Sequence, residues 1–150
     1  MGAARISSFA DFWPYYISEH RVPQDRWLHF VGTSTFLGVA GFCLMTSPVR
    51  FGLALLLSLA VGRACWRMEA RRSAAPALLG MILIAAVANP VILLGVVAAY
   101  ACAWVGHFVI EKNRPATFVY PLWSLAGDFR MYANMLQGRL WTGDGAEVTG

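Results

Sequence analysis

The chain of 150 residues holds three histidines, His20, His29 and His107, and each borders a long apolar run. Glu111 follows His107 by four residues, so a helix projects the two from one face, a turn apart. Glu19 directly precedes His20. Neutral imidazole nitrogens with a carboxylate form a donor set suited to Fe(II) or Zn(II). Three such nitrogens, with Glu111 or Glu19 as a fourth donor, leave coordination positions open for a reacting substrate. A single histidine at a membrane border is more often a hydrogen-bonded structural residue. It is the grouping of all three that favours a metal.

For the histidines to meet, the elements that carry them must end at one level. Hydrophobic residues make up 58% of the chain and charged ones 13%, with a mean hydropathy of +0.55, which is a membrane composition and not a globular one. The expected fold is all-α, an integral membrane four-helix bundle with spans over residues 28–46, 50–67, 75–89 and 90–111. Thr33, Ser34, Thr35, Gly38 and Gly41 in the first span suit close helix approach. Ser47, Pro48 and Val49 form a tight turn, and Asn89 with Pro90 reads as the N-cap and first residue of the fourth span.

Amphipathic helices flank the spans. Phe9, Phe12, Trp13 and Tyr16 share one helical face before the first, and Pro14 places the start of that helix just before itself. Such a ring-rich face lies at headgroup level or packs on the rest of the chain. After the fourth span, Leu122, Leu125, Phe129, Tyr132 and Leu136 recur at helical steps, with Asp128 on another face and Gly138 as terminator. One domain covers residues 1–141, and the segment 142–150, TGDGAEVTG, reads as a disordered tail.

Charge sets the expected orientation. Of the twelve basic residues, only Arg50 falls at the short turns away from the termini. The positive-inside bias then puts both termini in the cytoplasm, which means the inner membrane in a bacterium or the endoplasmic reticulum in a eukaryote. His20, His29, His107 and Glu111 come to one depth on that side. Arg63 and Arg67, four residues apart, either snorkel to headgroups or clamp a substrate carboxylate, a role open to Arg114 as well.

Several chemistries are excluded. There is no GxSxG for a serine hydrolase and no GxGxxG or GxxxxGK[ST] for phosphate. The pI near 9.3 comes from bases dispersed between spans, which suits anionic membrane lipids and not nucleic acid. Cys43, Cys65 and Cys102 lie in apolar runs without zinc spacing, as small hydrophobes. No cleavable signal peptide is seen, since the first apolar run begins only near Leu28. Membrane di-iron hydroxylases need many more than three histidines. Two other readings remain: a zinc-dependent lipid-modifying hydrolase, and a non-catalytic membrane protein with structural histidines.

Two segments, FWPYYISEHRVPQDRWLHFVGT and AYACAWVGHFVIEKNRPATFVYPLWSLAGDF, resemble the hallmark stretches of the 2-hydroxy fatty acid dioxygenase family, typified by the fungal protein for metabolism of phytosphingosine to odd-numbered fatty acids. The residues that carry the likeness are His20, Leu28, His29, Gly32 and Thr33, then Ala103, Trp104, Gly106, His107, Glu111, Lys112, Pro115 and Ala116. The resemblance implies an Fe(II)-dependent membrane enzyme that uses O2 to shorten a 2-hydroxy fatty acid by one carbon, with His20, His29 and His107 as iron ligands. The family pattern has a His-His doublet where this chain has Glu19-His20, so one nitrogen donor is missing and Glu19 stands in its place. A homo-oligomer is compatible with this reading.

Overall fold

The structure, a computed structural model, describes residues 5–148. Six α-helices form it: α1 (Phe9–Ser18), α2 (Pro23–Thr46), α3 (Pro48–Cys65), α4 (Ala75–Ala88), α5 (Ile92–Val105) and α6 (Pro121–Leu136). A π-helical turn, Gly106–Glu111, continues α5, and no strand occurs among the described residues. Three helical stretches, Pro23–Thr46, Pro48–Met68 and Ile92–Glu111, are long and apolar enough to cross a membrane. The fourth, α4, has 14 residues, a rise of about 21 Å against a hydrocarbon core of about 30 Å. Leucines on its outer face and on α3, such as Leu79, Leu83, Leu53 and Leu56, are exposed, as lipid-facing residues are.

Helix α2 packs along α5, and α3 packs along α4. Glycines set the closest approach of the first pair. A Cβ on Gly32 would stand 3.1 Å from Ala99 Cα, and one on Gly95 would stand 3.2 Å from Phe36 Cα. The pair is therefore held backbone against backbone, which fixes the level of His29 on α2 relative to His107 at the end of α5. Asn89 is not the N-cap expected for α5. It ends α4, donates to Thr46 Oγ1 across the turn, and accepts from Val91 N–H, so α5 starts at Ile92.

The flanking helices also differ from expectation. Ser8 caps α1 by accepting from Asp11 N–H, so the helix starts at Phe9 and carries Pro14 inside it. Pro14 and the Ala10 carbonyl it leaves without a helical donor are both on the exposed side, where solvent or headgroups can serve that carbonyl. The ring face of α1 is spent inside the protein: Phe12, Trp13, Tyr16 and Ile17 are all buried. On α6 the buried face is Trp123, Gly127, Met131 and Met135, while Leu136 is exposed. Gly127 lacks the side chain that would meet the Tyr16 ring at 2.9 Å, so α1 lies directly on α6. Gly138, at φ +82°, follows the end of α6 as anticipated.

Residues 142–148, read as tail, are tied down. The Trp13 indole donates to the Val148 carbonyl at 2.7 Å, and the Arg26 guanidinium donates to the Thr142 and Gly143 carbonyls. Thr149 and Gly150 lie outside the described residues.

Candidate metal centre

Three elements deliver one imidazole each. His20 sits just past α1, His29 lies two turns into α2, and His107 is the second residue of the π-helical turn. All three are buried. Their ring centroids are 4.6, 4.6 and 5.3 Å apart, with interplanar angles of 78°, 70° and 86°. Three nearly perpendicular rings in contact form a tripod, and one ring nitrogen from each lies within 4.8 Å of the others.

Which nitrogens converge follows from the partners of the rest. His20 Nδ1 is 2.6 Å from the Tyr16 carbonyl, which can only accept, so Nδ1 carries the proton and Nε2 keeps its lone pair. His29 Nδ1 donates at 2.6 Å to Asp128 Oδ1, which also accepts the Tyr16 hydroxyl at 2.6 Å. His107 Nδ1 lies 2.8 Å from Asn113 Oδ1. The Asn113 amide is oriented by its own donation to the Glu19 carbonyl, so its oxygen faces the imidazole. Every Nδ1 is thereby committed and every Nε2 left as a donor to the centre. His20 Nε2 and His29 Nε2 are buried with no hydrogen-bond partner among the described residues. Orphaned buried lone pairs are costly unless something binds them, and a divalent cation of the imidazole-binding kind fits.

The π-helical turn makes this arrangement. Its wider winding carries the chain to Lys112, in left-handed backbone at φ 55°, and lets Asn113 N–H bond back to the His107 carbonyl. Asn113 therefore sits beside the imidazole it orients. Glu111 is turned the other way, accepting from Val22 N–H at 2.6 Å. Glu19 offers its backbone carbonyl, not its carboxylate, to this network. Burial, and then the nearby Glu111 charge, hold the Glu19 carboxyl above the usual range.

Burial pushes the His20 imidazole well below its ordinary range, followed by the proximity of His29 and His107, so it is neutral and ligand-competent at physiological pH. Burial, then Asp128, likewise pushes the Tyr16 phenol well above its own, which keeps it a donor to Asp128.

A cavity of about 250 Å³ runs from the histidines into the bundle between the two helix pairs. Asp128, Thr33, Ser124 and Tyr100 line its polar head, and Leu55, Met81, Ala85 and Ile92 its apolar remainder. Arg63, Arg67 and Arg114 do not line it. All three are exposed, and the Arg114 guanidinium lies over the Phe118 ring. None of the three side chains is placed at the cavity, so the structure shows no contact for their expected role as a carboxylate clamp.

Asp25, Tyr16, Asp128 and Asn113 are the site residues that sequence reading missed or left unassigned. The i, i+4 relation of Asp25 to His29 was the available signal for the first. Asp128→Ala should weaken metal binding by about 10- to 100-fold, because His29 would lose the acceptor that fixes its tautomer and orientation. Competition with a chelating indicator reads this directly.

Fold and pocket together define a class: an all-helical bundle of membrane composition with a buried three-histidine group at the head of an apolar cavity. The model of the family described as 2-hydroxy-palmitic acid dioxygenase Mpo1-like matches residues 6–140, and the chain belongs to this family. No curated protein and no solved structure matches it. The family name carries dioxygenase activity on a 2-hydroxy fatty acid.

Proposed function

We propose that this protein is a multi-pass membrane dioxygenase that uses O2 to shorten a 2-hydroxy fatty acid by one carbon, with Fe(II) held by His20, His29 and His107. The observation that carries this reading is the convergence of one ring nitrogen from each of three buried histidines, each ring fixed through its Nδ1, at the polar head of an apolar cavity. An iron ion there would supply Lewis acidity toward the substrate's hydroxyl and carboxylate and the redox capacity to use O2.

The chain's own residues do the remainder. Leu55, Met81, Ala85 and Ile92 line the cavity as an acyl chain requires, and apolar burial there binds the tail. Asp128 and Asn113 hold two imidazoles in register, so the head of the substrate meets a rigid site. No Lys or Arg lines the cavity, so a substrate carboxylate would depend on a bound metal ion for its positive partner. The basic residues flanking the spans support an orientation with both termini in the cytoplasm.

Protein purified without a histidine tag should contain about one iron per chain and convert a 2-hydroxy fatty acid to the acid one carbon shorter only when O2 is present. Chelation should abolish turnover, and Fe(II) should restore it. Zinc in place of iron with O2-independent turnover would instead identify a hydrolase, and absence of any metal would leave the histidines structural.

A further inference from the structure

Asp25 is fully buried in the first turn of α2, and neither of its carboxylate oxygens has a hydrogen-bond partner among the described residues. An acid three residues into a helix ordinarily reaches back to the N-cap amide. Here that amide, Val22 N–H, is already taken by Glu111 at 2.6 Å. Asp25 is therefore released from capping, and its Oδ1 stands 3.6 Å from His29 Nε2, the nitrogen that faces the metal pocket. The opposite helix makes room for it: a Cβ on Gly106 would lie 1.9 Å from Asp25 Oδ1. Gly106 immediately precedes His107, so the element that delivers one imidazole also clears space for this carboxylate.

We propose that Asp25 is the carboxylate ligand of the centre, binding from the His29 side the same ion that His20, His29 and His107 hold. This rests on the metal-site reading above. Metal–oxygen and metal–nitrogen bonds of about 2.0–2.2 Å let one ion touch two atoms 3.6 Å apart. Asp25 stands outside the spacing that groups the three imidazole nitrogens, so its carboxylate joins the shared ion by turning further toward them. The neighbouring carboxylates are otherwise engaged, Glu111 with Val22 and Asp128 with His29 and Tyr16. Asp25 gives the centre an anionic donor in a chain whose Glu19 enters the network through its backbone carbonyl.

The test is metal binding by Asp25→Asn, a substitution of nearly equal shape. Cobalt(II) is the probe, because its visible absorption reports ligand set and geometry. Wild-type protein should bind one Co(II). The variant should bind at least about tenfold more weakly and show a changed spectrum. Its metal-free form should unfold at the wild-type temperature or above, since an orphaned buried carboxylate is removed, and added metal should raise that temperature by less than in wild type. A merely structural aspartate predicts the reverse, with lower metal-free stability and unchanged affinity and spectrum, and that result overturns the proposal. If Asp25→Asn fails to fold, Gly106→Ala carries the test: it displaces the carboxylate without altering any donor, and undiminished affinity there also overturns it. Failure of wild-type protein to bind Co(II) would refute the three-histidine site itself, a distinguishable outcome.

Discussion

His29→Ala should fold, yet hold no stoichiometric metal and lose 2-hydroxy fatty acid turnover by more than about 100-fold, the upper limit for removing an outer partner of a ligand. Its imidazole is the one joined to both ends of the network, with Asp128 on Nδ1 and Asp25 near Nε2. Alanine at His20 or His107 should act in the same direction. Comparison with Asp128→Ala makes the result diagnostic, because loss of a ligand must exceed loss of its orienting partner. Elemental analysis, a chelator titration and product analysis by mass spectrometry check it. Full metal occupancy in His29→Ala would refute the assignment of this ring as a donor.

The second large effect concerns stability. Arg26→Ala should lower unfolding free energy by about 3 kcal/mol or more. Arg26 is fully buried and uses all its N–H groups on backbone carbonyls: Nε on Leu140, Nη1 on His20 and Arg21, and Nη2 on Thr142 and Gly143. Bonds from a charged donor contribute about 1.5–3 kcal/mol each, offset by the several kcal/mol needed to desolvate the guanidinium. Removing the side chain leaves five acceptors without their donor and a void beside His20. Arg26→Lys, with one compact donor group, should recover only part of the loss. Thermal unfolding in detergent, with limited proteolysis of the segment 140–148, measures both. An unchanged unfolding temperature in Arg26→Ala would show that water replaces the guanidinium without penalty.

The all-α membrane class and the three histidines were legible because they rest on strong signals, a dearth of charge over long runs and a scarce residue type grouped by topology. The rest was hidden for specific reasons. Asp25 occupies the first helical turn, where an acid is ordinary on dipole grounds alone, so its i, i+4 spacing to His29 carries little weight until the capture of Val22 N–H by Glu111 is seen. The buried face of α6 centres on Gly127, which has no hydrophobic signal and matters because the Tyr16 ring lies on it. Order in residues 142–148 comes largely from backbone carbonyls that accept from the Arg26 guanidinium, and a carbonyl has no sequence signature. Glu111 was misleading because a regular helix was assumed through a segment that winds more widely.

That wider winding has a genealogical reading. A π-helical turn is what one extra residue produces when inserted into an α-helix without breaking it. Deleting a residue between Phe108 and Ile110 would return Gly106–Glu111 to regular winding and turn everything beyond it by about 100°. Asn113 would leave His107, and Glu111 would release the amide it takes from Val22. A membrane span of ordinary register could thus acquire, or lose, the oriented third imidazole by a single codon, with its apolar body unchanged.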